Sequence, residues 1–80
     1  MSTKKPSKST IQLRSLRLKI GSNINHYRTA KGLSLAKLGR QTSIGIKNLD
    51  LFEAGRGDLE LQQLAKIAAA MEIRIDNLLC

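Results

Sequence analysis

The segment Ser34 to Glu53, SLAKLGRQTSIGIKNLDLFE, constrains the fold more than any other part of the chain. Leu38, Leu49 and Phe52 are spaced so that two short helices turn apolar faces toward one core. Thr42 and Ser43 interrupt that pattern where a turn must fall. Two short helices joined by a tight turn make a helix-turn-helix. Gly39, directly after Leu38, removes side-chain bulk from the inner face of the first helix and lets the second cross closely.

The flanking sequence supplies three more helices. Leu13, Leu16, Ile20, Ile24 and Tyr27 recur every three or four residues and predict a helix from about Ile11 to Lys31, closed by Gly32. Gly21 lies inside this helix, where glycine costs about 1 kcal/mol relative to alanine, so it points to a close packing contact or a break. Ser34 is the expected N-cap of the second helix, with Lys37 where a capping box takes Glu or Gln. The third helix region begins at Ile44 with Gly45 as its N-cap and ends at Gly55, and Arg56, Gly57 and Asp58 form a polar loop. Asp58 is expected to cap a fourth helix with the apolar face Leu61, Leu64, Ile67, Ala68 and Met71. Ile73 to Ile75, read alone, also fits a short strand.

With 80 residues the chain is one small domain, in which oligomerisation would add useful buried surface. Residues 1–10, MSTKKPSKST, have no apolar periodicity and are expected to form a flexible basic arm, leaving 11–80 as the folded domain. The net charge is +8, and the 70 residues after the arm still carry eleven basic residues against six acidic ones, or +5. A charge of this sign and size points to a polyanionic partner, nucleic acid first. Tyr27 and Phe52 are the only aromatics, which argues against single-strand recognition by stacking.

Other classes find little support. Cys80 has no second cysteine to pair with, and with His26 it cannot make a metal site, so neither metal nor cofactor is expected. His26 has no nucleophile or acid at a motif spacing, and no enzyme is expected. The longest apolar run, Ile67 to Met71, is far short of a membrane span, and no signal-peptide core follows the basic start. The expectation is a soluble, cytoplasmic protein.

The pattern Leu-Ser-x-x-x-Leu-Gly, then Ser-Ile, then Leu-x-x-Phe-Glu-x-Gly-Arg resembles the Cro and lambda-repressor (XRE-like) class of DNA-binding domains, over roughly residues 19 to 79. The start MSTKKP also resembles the basic arm of lambda repressor, which wraps its DNA. The resemblance implies an all-α, compact five-helix domain, with a turn and short fifth helix beginning near Asp76 rather than a strand. It implies a bacterial, phage or plasmid origin, and an Arg28–Glu53 salt bridge. It further implies a transcriptional regulator that binds a pseudo-palindromic operator as a homodimer, with the third helix in the major groove.

Carried over position by position, the base-contacting residues become Gly45, Ile46, Lys47, Asn48 and Leu51. Lys47 can donate to guanine, Asn48 can pair with an adenine edge, and Ile46 or Leu51 can meet a thymine methyl. Phosphate contacts fall to Arg28, Ser34 and Arg56, with Lys4, Lys5 and Lys8 of the arm. The dimer interface falls to Ile73, Ile75, Leu78 and Leu79.

Some positions depart from the family pattern. Leu35 stands where many members have a phosphate-contacting glutamine, and Ile44 to Glu53 carries −1. Leu35, Ile46 and Leu51 are expected to form an exposed apolar patch. That patch supports an alternative, a protein-interaction module of antiactivator or antitoxin type with auxiliary DNA binding. The +8 charge favours the DNA regulator.

Overall fold

The computed structural model describes residues 13–80; the arm and the lysines Lys4, Lys5 and Lys8 lie outside them. Five helices follow one another: α1 (Arg14–Ala30), α2 (Leu35–Thr42), α3 (Ile46–Glu53), α4 (Leu61–Ala70) and α5 (Ile75–Leu79). The segment around Ile73 is therefore a turn leading into α5, not a strand.

Three-and-four spacing gives each helix one inward face. Ile20 and Ile24 of α1, Leu38 of α2, Leu49 and Phe52 of α3, and Leu64 and Ile67 of α4 meet in a single cluster. Leu33 precedes Ser34, and Ser34 accepts a hydrogen bond from the Lys37 backbone N–H at 3.0 Å. Leu33 packs on the same cluster as Leu38. A capping side chain and an apolar residue just outside the cap thus fix the start of α2 together.

The start of α4 differs from the sequence expectation. Its N-cap is Glu60, not Asp58, and the Glu60 backbone N–H donates to Gln63 Oε1 at 2.9 Å. Leu59, just before the cap, and Leu64, on the first turn, are both buried, which is the arrangement of a hydrophobic staple. Seating Leu59 rotates Leu61 outward to 51% exposure. Leu13 is likewise exposed and flanks the start of α1 without joining the core.

The crossing of α1 over the end of α3 sets the frame of the molecule. A Cβ on Gly21 would collide with the Phe52 carbonyl and lie 2.8 Å from that of Glu53, so only glycine allows this approach. Further along α1, Arg28 grips α3 from the side. Its Nε donates to Glu53 Oε2 at 2.5 Å, its Nη2 to Glu53 Oε1 at 3.1 Å, and its Nη1 to the Leu33 carbonyl at 2.8 Å. Asn25 Nδ2 adds a bond to Glu53 Oε1 at 3.0 Å. Hydrogen bonding to Glu53 raises the Arg28 pKa above the ordinary arginine range, against a smaller opposing effect of burial. A raised pKa in the folded state means that this stabilisation is present below the ordinary arginine value, as long as the partner carboxylate is ionised, and is lost in strongly alkaline solution.

At the other end of α1, Asn23 Nδ2 donates to the Leu78 carbonyl at 2.9 Å and fixes α5. The Leu78 side chain points inward and is 0% exposed. This corrects its assignment to a dimer surface, because its area is already spent in the protomer's own core.

Two stability measurements follow. Leu78→Ala lowers the unfolding free energy in urea by about 2–5 kcal/mol, whereas Leu79→Ala stays near the 0.5 kcal/mol range of surface changes. Arg28→Ala leaves the Glu53 carboxylate without its cation. Because the pair keeps 14% and 9% side-chain exposure, the expected loss is at the lower end of the about 3–5 kcal/mol for buried pairs. That loss is constant across neutral pH.

Candidate nucleic-acid interface

The turn between α2 and α3 is set by side-chain chemistry. Thr42 is 3% exposed, and its hydroxyl donates to the Leu38 carbonyl at 2.8 Å while accepting from the Ile44 backbone N–H at 3.3 Å. Ser43 takes the left-handed conformation at φ 61°, which ends α2 and reverses the chain. Ile44 then drops into the core and Gly45 caps α3 with extended backbone. A Cβ on Gly39 would lie 2.8 Å from the Ile44 carbonyl, so the close crossing expected of Gly39 is a contact with the turn itself.

With Leu49 and Phe52 turned inward, α3 presents the rest of its surface outward. Gly45, Ile46, Lys47 and Asn48 are exposed, and Leu51, one turn beyond Lys47, is half-buried. All five expected base-contacting residues thus lie on α3 or at its N-cap, four of them exposed and Leu51 half-buried. Asp50 is also exposed on α3. Glu53 is neutralised by Arg28, so the net −1 read from the sequence does not describe the outer face, where Lys47 and Asp50 balance.

The expected apolar patch is not continuous. Leu35 packs against the core and Leu51 is half-buried, leaving Ile46 at 51% exposure. Leu35, at the position where the resemblance implies a glutamine, serves packing here.

The expected phosphate-facing residues divide. Ser34 and Arg56 are exposed at the start of α2 and after α3. Arg28 is not available in the same way, since each of its three guanidinium nitrogens donates within the protein. Arg56 instead has neighbours the sequence reading passed over. It lines a cleft with Arg14 and Arg17 of α1, Leu18, and the backbone of Ala54, Gly55 and Gly57. The i, i+3 spacing of Arg14 and Arg17 was a readable signal, but only the α1–α3 crossing joins them to Arg56.

On the far side, Ile73 and Ile75 are partly buried against the core and Leu79 is 37% exposed. His26 lies edge-on to Tyr27 with ring centroids 5.1 Å apart. Among the described residues no cluster of three metal-ligating side chains occurs, and no helix is long and apolar enough to cross a membrane.

No family model matches the chain, and no curated protein sequence does. Solved structures do. The chain is 29% identical to the restriction-modification controller protein C.AhdI from Aeromonas hydrophila, with a TM-score of 0.74, over 78% of this chain and 94% of that one. SinR, the master regulator for biofilm formation, solved in complex with DNA, is also 29% identical, with a TM-score of 0.71, over 76% of this chain and 98% of its own. The hypothetical transcription factor NHTF from Neisseria is 25% identical with a TM-score of 0.78, over 95% of this chain and 87% of that one. These neighbours are regulators, not enzymes. With its five helices and the Thr42–Gly45 turn, the chain has the helix-turn-helix fold of XRE-like, lambda-repressor-type regulators.

Proposed function

We propose that the protein is a transcriptional regulator that binds double-stranded DNA sequence-specifically, as a homodimer on a pseudo-palindromic operator. The observation that carries this reading is the outer face of α3. Its inward residues are wholly committed to the core, while Lys47 and Asn48 stand exposed on a fold similar to that of solved regulators. In this reading α3 enters the major groove, where Lys47 donates to guanine and Asn48 pairs with adenine. Gly45 permits close approach at the helix start, and Ile46 and Leu51 contact thymine methyls. Ser34 and Arg56 hold flanking phosphates, and Lys4, Lys5 and Lys8 add charge from the arm. The +8 balance supports a polyanionic partner.

The homodimer is assigned to Ile73, Ile75 and Leu79, without Leu78. The two recognition helices then meet successive major grooves about 34 Å apart. The protein-interaction alternative rested on an exposed apolar patch of Leu35, Ile46 and Leu51, and the packing of Leu35 and the half-burial of Leu51 weigh against it.

Selection from random duplexes is expected to return a palindromic consensus; weak, sequence-blind binding would overturn the reading. On that consensus, Lys47→Ala loses about 1–3 kcal/mol of discrimination at one base position and leaves random-sequence affinity nearly unchanged. Arg56→Ala weakens consensus and random duplexes alike. Deleting residues 2–9 flattens the salt dependence of binding by about 0.9 in log–log slope for each phosphate released. In sedimentation, the wild type forms a complex of two protomers on a duplex with two half-sites, and Leu79→Asp reduces it to one protomer per half-site bound independently.

A further inference from the structure

The cleft between the start of α1 and the loop after α3 brings three arginines together, and among the described residues no acidic side chain lines it. We infer that Arg14, Arg17 and Arg56 jointly hold one phosphate group of the DNA backbone in this cleft, an assignment that rests on the DNA-binding reading above.

The arrangement follows from the α1–α3 crossing. Gly21 touches the end of α3, and one turn earlier on α1, Arg17 and Leu18 lie against the loop. Gly55 is buried there, and a Cβ on it would lie 2.5 Å from Leu18 Cδ2. Its φ of +76° also disfavours any side chain, so the loop backbone forms the cleft floor. Arg17 Nη1 donates to the Gly57 carbonyl at 3.4 Å, which holds the guanidinium toward the loop. Its Nε is buried and has no hydrogen-bond partner among the described residues. A buried donor without an acceptor is unfavourable, and a planar guanidinium is suited to meeting an oxyanion through two N–H groups at once.

Three of the last four carbonyls of α3 are satisfied without the arginine side chains. The Leu51 carbonyl accepts from the Arg56 N–H at 2.8 Å and the Phe52 carbonyl from the Gly55 N–H at 3.0 Å. The Asp50 carbonyl accepts from the Ala54 N–H at 3.2 Å. With those carbonyls already paired, the three cations are left to attract an external anion. The cleft sits at the opposite end of α3 from Gly45, about 12 Å along an eight-residue helix, so it faces the strand bordering the groove rather than the bases.

The test compares full-length variants by fluorescence anisotropy on a labelled duplex of mixed sequence, titrated at several salt concentrations. Arg14→Gln, Arg17→Gln and Arg56→Gln are each expected to lower affinity about tenfold, the effect of one charge-assisted bond. Combined, they lower the log–log salt slope by about 0.9, the value of one phosphate. Lys66→Gln, which removes one exposed charge on α4, controls for net charge. A slope change near the roughly 2.7 of three separate phosphates would overturn the shared site. No change with wild-type binding intact would remove the cleft and leave the regulator reading standing. Absence of wild-type duplex binding would remove both. Should Arg17→Gln fail to fold, Arg14→Gln and Arg56→Gln, both at exposed positions, form a double-mutant cycle. Contacts to one phosphate give a coupled loss, and losses that simply multiply would overturn the inference.

Discussion

The contact between Gly21 and the last carbonyls of α3 determines what surrounds the C-terminal end of that helix. Because the two backbones touch, α1 passes α3 at a fixed height, and side chains on either side of the contact reach fixed targets. Two turns toward the C-terminus, Arg28 meets Glu53. One turn toward the N-terminus, Arg17 meets the Gly57 carbonyl. One crossing therefore produces an internal ion pair on one side and a cationic cleft on the other.

The front of α3 is held by a separate device. Thr42 closes α2 on itself and accepts the Ile44 N–H, and Gly39 lets the turn lie against the helix. With its start fixed by the turn and its end by α1, α3 has little freedom left, and its outer face is presented as a rigid surface. Such a surface suits base contacts, whose discrimination depends on geometry. It carries almost no net charge, since Lys47 and Asp50 offset one another and Glu53 is paired internally. Attraction to a polyanion then falls to residues around α3, which is the usual division between contacts that position and contacts that specify.

How far these features could be read from the sequence depended on whether one residue's neighbours in the chain decided them. Leu38, Leu49 and Phe52, the turn at Thr42–Ser43, the Ser34 cap and the glycine stops at Gly32 and Gly55 are local patterns, and all are as expected. The start of α4 was misplaced because Asp58 and Glu60 both have capping chemistry. The burial of Leu59 beside Leu64 decides between them, and that is a tertiary fact. Leu13, Leu35, Leu61 and Leu78 show the same limit: periodicity marks an apolar face but not what lies opposite it. The candidate α3 face was legible because a helix fixes which residues share a side. The cleft was not, because Arg14 and Arg56 are 42 positions apart and meet only through the Gly21 crossing.

The inward turn of Leu78 also changes the energetics of association. With Leu78 committed to the protomer and Asn23 holding its carbonyl, α5 is complete before any second copy arrives. What remains for an interface is Ile73 and Ile75, each already packed in part on the core, and the edge of Leu79. A fully buried aliphatic side chain contributes about 1.5–3 kcal/mol. Partly exposed ones from each copy together gain only an amount comparable to the roughly 4–15 kcal/mol lost on association. A dimer built on this surface is therefore weak in free solution. Adjacent half-sites would supply the missing term by raising the effective concentration of one protomer at the other, so the dimer and its complex with DNA would form together.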